Sequence, residues 1–206
     1  MKDKTRENNI VKLHGVLQED FSFSHNVCGE DFYRNIIAVQ RLSGTVDKIP
    51  ILLSGFLFDT KISYEGVPVS LIGEYRSYNE HTTGKNKLRL YVFVKEVLFF
   101  EEADARNEIV VDGYLCKTPI YRKTPFGREI TDILLANNRQ YKKASYIPCI
   151  CWGRNARFAS GFEVGEHVQI LGRIQSREYV KKITDIETEK RTAYEVSVSK
   201  LECVID

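Results

Sequence analysis

The chain repeats itself. Gly113 falls on Gly15 at a shift of 98 residues, and at the same shift Gly127 falls on Gly29, Arg139 on Arg41, Pro148 on Pro50 and Gly153 on Gly55. Phe162-Glu163 falls on Tyr64-Glu65 at that shift too, and after one inserted residue Gly172 falls on Gly73 and Ser176 on Ser77. Glu195-Val196-Ser197-Val198 then meets Tyr91-Val92-Phe93-Val94 at a shift of 104, which predicts a longer final hairpin in the second copy. A self-match at so long a period demands two copies of one structural plan. The 206 residues divide accordingly into a first copy over 8–100, a linker over 101–106 and a second copy over 107–206. A domain of this size buries enough apolar surface to hold without disulfides or metals.

Within each copy the pattern is of short strands separated by turn residues. Copy two is predicted as strands over 109–115, 130–137, 146–152, 168–174 and 193–204, with a short helix in the segment 154–162. Thr124-Pro125-Phe126-Gly127 is a turn, Pro supplying a fixed φ and Gly the freedom for a positive one. Copy one follows with strands over 10–17, 32–40, 49–54, 69–77 and 88–99, and its segment 59–63, weaker as a helix, is compatible with a loop. Five strands with one short helix between the third and fourth is the order of the OB-fold, a five-stranded Greek-key barrel. The fold class is therefore all-β, with two tandem OB-folds.

Composition excludes more than it selects. Hydrophobic residues at 43% and charged residues at 28% describe an ordinary folded chain, and no apolar run reaches membrane-spanning length. The polar start 1–9 has no signal-peptide core, so a cytoplasmic protein with no membrane partner is expected. Net charge is only +2, but residues 1–102 hold 13 basic against 14 acidic side chains while residues 103–206 hold 17 against 14. The more basic copy is the one expected to meet a polyanion. Cys28, Cys116, Cys149, Cys151 and Cys203 include no CxxC pair, so they read as small buried hydrophobes; no metal and no cofactor are expected. The chain has no P-loop, GxSxG or HExxH, and it is expected to catalyse nothing.

Copy two carries a set of aromatics beside cations. Tyr146 and Trp152 are six residues apart, so on a regular strand both project from one face, with Ile150 between them. Tyr141 precedes Lys142 and Lys143, Trp152 is followed by Gly153 and Arg154, and Tyr179 is followed by Lys181 and Lys182. Each base of a single strand offers a π-face and each nucleotide a phosphate, which suits aromatics alternating with cations. Taken singly, an aromatic is more often a packing residue. The four together with their basic neighbours favour binding.

Five stretches of copy two, taken as an ordered set, resemble the bacterial single-stranded DNA-binding protein family. They are Gly113-Tyr114-Leu115, Thr124-Pro125-Phe126-Gly127, Leu135-Ala136-Asn137-Asn138-Arg139-Gln140-Tyr141, the run from Tyr146 through Trp152 to Arg154, and the run from Gly165 to Tyr179. The resemblance implies that Tyr141, Tyr146, Trp152 and Tyr179 stack on bases, and Arg139, Lys142, Lys143, Arg154, Arg173, Arg177 and Lys181 are the candidate phosphate contacts. It implies sequence-nonspecific binding of single-stranded DNA in replication, recombination or repair, and a homodimer giving four barrels. In copy one the four aromatic positions become Ser43, Lys48, Ser54 and Glu80, so that copy is expected to serve structure and pairing. The resemblance also implies a nucleoid-associated place in a bacterium and replication or repair proteins as candidate partners, though the family's flexible acidic recruitment tail has no counterpart after Lys200-Leu201-Glu202-Cys203-Val204-Ile205-Asp206. Two alternatives stay open here: an assembly module for replication restart with little DNA binding, and a single-stranded RNA-binding OB protein, since discrimination needs a contact at the 2′-OH.

Overall fold

A computed structural model describes residues 8–82, 85–139, 143–182 and 188–204, with backbone alone at 81, 82, 85, 86, 181 and 182. Copy one consists of β1 (Asn9–Leu17), β2 (Ser22–Val27), β3 (Glu30–Gln40), β4 (Val46–Ser54), β5 (Pro68–Thr82) and β6 (Lys85–Phe99). Copy two consists of β7 (Arg106–Leu115), β8 (Ile120–Lys123), β9 (Glu129–Asn138), β10 (Ala144–Trp152), α1 (Arg154–Ala159), β11 (His167–Lys182) and β12 (Thr188–Cys203).

Each copy closes into a five-stranded barrel. In copy one the ring runs β1-β3-β4-β6-β5 and returns to β1; in copy two it runs β7-β9-β10-β12-β11 and returns to β7. The one parallel pairing in each ring sets Ile51 against Val92 and Cys149 against Val196, so equivalent positions of the repeat meet in both barrels. Alternation explains which residues fill them: Val11, Leu13 and Leu17 of β1 and Ile147, Cys149 and Cys151 of β10 are buried, with their neighbours turned outward. The barrels join edge to edge through antiparallel β1 and β7, from Asn9 opposite Val111 to His14 opposite Arg106. One sheet therefore runs through the whole molecule.

The glycines matched by the repeat mark where a barrel turns on itself. A Cβ on Gly15 would stand 2.3 Å from the Ala38 carbonyl oxygen, and one on Gly113 would stand 2.7 Å from that of Ala136, at the closing contacts of the two rings. Gly73 and Gly172 lie at β-bulges in the β5–β6 and β11–β12 ladders, where a Cβ would meet the Phe93 and Ser197 carbonyl oxygens at 2.3 and 2.4 Å. Strands this strongly coiled need a residue without a side chain at the bend.

The barrel ends differ. In copy two α1 closes the end with buried Ala156 and Ala159, fixed by Thr131 Oγ1 donating to the Ala156 carbonyl at 2.7 Å. Copy one has a single 3₁₀ turn, Gly55–Leu57, and 59–63 is loop. Phe58 packs there against Phe21, Tyr33 and Tyr64 at centroid distances of 4.3, 5.2 and 5.7 Å, so rings replace the helix.

Several features depart from the expectations. The edge strands β2 and β8 add to the five of each barrel, pairing only with β3 and β9. β7 starts at Arg106, inside the stretch expected as linker. The last two strands of each copy outrun their barrels, reaching Thr82 and Lys182 as projecting hairpins. Cys149 and Cys151 are buried on one face as expected, and burial pushes the Cys151 thiol up to about 12, but Cys28 and Cys203 are exposed, which corrects their reading as core residues. No described helix is long and apolar enough to cross a membrane.

Candidate nucleic-acid interface

The outward face of β10, β12 and β11 is the candidate site. Along β10, Ser145, Ile147, Cys149 and Cys151 point inward, which leaves Tyr146, Pro148, Ile150 and Trp152 on the outer face. Tyr146 is 42% exposed and Trp152 36%, and Ile150 is buried between them. The Trp152 indole is not loose on the surface: its Nε1–H donates to Ser197 Oγ of β12 at 3.2 Å. Along β11, Arg173, Gln175, Arg177 and Tyr179 share the outward side by their even spacing. Tyr179 is 37% exposed, with the Arg177 guanidinium 5.8 Å from its ring centroid. Three of the four expected stacking residues thus lie accessible on one barrel. Tyr141, with Lys142, falls outside the described residues, as does the side chain of Lys181.

The cations divide into two groups. Lys143 at the start of the third barrel strand and Arg154 at the first position of α1 are exposed, and Arg177 is 58% exposed with Glu195 at 4.0 Å. These three are available to phosphates. Arg173 is engaged elsewhere: its Nη1 lies 3.3 Å from Asp47 of copy one, and its Nη2 donates to Gln175 at 3.4 Å. Burial, then the positive charge of Arg41, lowers its pKa, with Asp47 opposing. Arg139 is held at the contact between the copies. Its Nε is buried without an acceptor, and burial followed by the charge of Arg76 lowers its pKa. Arg173 is thus tied to copy one and to its own strand.

Residue types and spacing did not disclose Ser197, which aims the indole, or Glu195, which accepts from Gln175 Nε2 at 2.7 Å and holds that row of β11 in place. Equivalence within the repeat could have found the second, because Glu195 replaces Tyr91 of copy one.

In copy one the equivalent face carries other residues. Glu80 pairs with Arg89 at 2.6 Å, Ser54 Oγ accepts from Phe56 N at 3.2 Å as the cap of the 3₁₀ turn, and Lys48 is tied through its backbone to Ser176. Aromatics are present at different positions: Tyr78 and Tyr91 meet edge-on at 5.7 Å, and Arg76 sits 3.7 Å over the Phe93 ring. With Tyr194 from copy two, Tyr78 and Tyr91 line a groove of about 710 Å³.

A family model described as the single-strand binding protein family matches residues 106–204, which is copy two. Single-stranded DNA-binding protein B of Bacillus subtilis (strain 168) is 34% identical over 80 residues, covering 35% of this chain and 71% of that protein. Single-stranded DNA-binding protein 2 of Listeria innocua is 35% identical over 80 residues, covering 50% of that protein. The chain spans about half the length of most of the curated relatives it matches. The crystal structure of the wild-type single-stranded DNA binding protein from Thermus aquaticus matches with a TM-score of 0.78 and 19% identity over 96% of this chain and 93% of that one, a likeness of fold that takes in both copies. Fold and face together define a tandem OB-fold protein with an aromatic outer sheet on one barrel. The chain belongs to the bacterial single-stranded DNA-binding protein family.

Proposed function

We propose that this chain binds single-stranded DNA with little sequence preference, bases stacking on Tyr146, Trp152 and Tyr179 and phosphates held by Lys143, Arg154 and Arg177. The observation that carries the reading is the pair Tyr146 and Trp152, partly exposed on one outward strand face with Ile150 between them. Stacking accepts every base, because each has a π-face, and so confers affinity without sequence preference. Tyr141, Lys142 and Lys181 belong to the binding set in this proposal. Single strands in replication, recombination or repair are the substrate, kept extended and unpaired; association of two chains into four barrels belongs to the same reading.

The chain's single tryptophan makes the test direct. Adding oligo-dT quenches Trp152 fluorescence, and Trp152→Ala weakens binding of a labelled oligo-dT by about 1–3 kcal/mol, roughly a factor of 5 to 150, with the fold retained. Oligo-U and duplex DNA are the competing ligands. No quench with unchanged affinity for the variant puts Trp152 among packing residues, and tighter binding of oligo-U moves the substrate to RNA.

A further inference from the structure

The contact between the copies is close to two-fold symmetric in its backbone bonding. Beside the contact, each copy pins its own strands in the same way: within copy one Asn9 donates to the Tyr75 carbonyl at 2.8 Å and accepts from Tyr75 N at 2.9 Å, and within copy two Asn107, its equivalent at the shift of 98, does the same with Ile174 at 2.7 and 2.9 Å. Ser77 Oγ of copy one accepts from Tyr146 N at 2.7 Å, and Ser176 Oγ of copy two accepts from Lys48 N at 3.0 Å.

Charge breaks this symmetry. In one half, Asp47 is fully buried and its carboxylate accepts from Arg41 Nε at 2.7 Å, from Arg173 Nη1 at 3.3 Å and from Ser176 N at 2.9 Å. In the other half Ser145 stands in the place of Asp47, its Oγ accepting from Ser77 N at 3.3 Å. Arg139 takes the place of Arg41, and its Nε is the buried donor without an acceptor. The acid of that half has moved across the contact to Glu74, at the position of Arg173, where Arg76 and Lys95 bind it at 2.7 and 2.6 Å. Each half therefore contains a carboxylate, but copy one supplies both.

We infer that this arrangement fixes the pairing partner: the contact face of copy two fits copy one and rejects a second copy two. Two copy-two faces brought together by the same geometry would set Arg139 against the partner's equivalent of Glu74, which is another Arg173, with Ser145 between them. Both halves would then hold two half-buried guanidiniums without the carboxylates of Asp47 and Glu74, and Glu195, at the position of Tyr91, is already bonded to Gln175. Like charges facing each other at an interface select strongly against the wrong partner. The assignment applies to the contact between copies and does not depend on what the outer face binds.

The test introduces a protease site into 101–105, where no regular element stands. The full chain is folded, cut, and left below its unfolding temperature until native mass spectrometry shows a steady distribution. Complexes holding equal numbers of the two copies are expected, with dimers of copy two alone at least about a hundredfold below their statistical share. In S145D the added carboxylate lies between Arg139 and the partner's Arg173, and dimers of copy two alone should rise by at least about tenfold. In D47S the mixed pairs should loosen into free halves with no gain of copy-two dimers. A statistical mixture from the unsubstituted chain, free halves from that chain, or an S145D variant that folds and yields no copy-two dimers would each overturn the inference.

Discussion

At the scale of single residues, a side chain's use is decided by what faces it across space. Arg173 and Arg154 both lie beside the aromatic strands in sequence, and both were expected to touch phosphate. Asp47, 126 residues away, claims Arg173, while Arg154 stays exposed. Neighbours along the chain carry no sign of that partner. The common face of the proposed stacking residues Tyr146 and Trp152 was legible because they are an even number apart on one strand, so periodicity alone fixed it. The two arginines should differ in salt dependence. Arg154→Gln is expected to reduce the log–log salt slope of oligo-dT binding by about 0.7, the loss of one neutralised phosphate on a single strand, while Arg173→Gln leaves the slope unchanged. Equal reductions in titrations across a salt series would show that Arg173 leaves Asp47 to reach the strand.

At the scale of elements, the barrel strands were legible where one side is continuously buried, as in β1 and β10. β8 escaped because Ile120, Tyr121, Arg122 and Lys123 are all exposed and so carry no buried side for a pattern to report. The long final hairpin of copy two was legible from the growth of the repeat's shift, but how far its strands extend was not: beyond the barrel, ladder bonds rather than a core fix them. The repeated glycines were visible as punctuation, and the bulges explain them. At Gly172 an added methyl meets backbone, since a Cβ would stand 2.4 Å from the Ser197 carbonyl oxygen. Gly172→Ala is expected to destabilise the chain by about 1–3 kcal/mol, as overpacking against a fixed neighbour does, read as a lower urea midpoint at unchanged m-value. An unchanged midpoint would show that the β11–β12 ladder opens at little cost. Because Ser197 also holds the Trp152 indole, the same shift would move the proposed binding face.

At the scale of the whole molecule, one sheet joins two barrels of one plan with different outer faces. The repeat made the two barrels legible from spacing alone, and the loss of aromatics at Ser43, Lys48, Ser54 and Glu80 made their division of labour an expectation. The groove lined by Tyr78, Tyr91 and Tyr194 was not legible, because it takes a residue from copy two to complete a wall of copy one. It supplies the sharpest rival to the proposed face: aromatics with Arg89 and Lys87 nearby, but at positions unlike those of copy two. Photo-cross-linking of the full chain to a short oligo-dT carrying 5-iodouracil, with the adducts mapped by peptide mass spectrometry, separates the two faces. Adducts on Tyr146, Trp152 and Tyr179 are the expected result; adducts concentrated on Tyr78 and Tyr91 would contradict the assignment of the binding face to copy two.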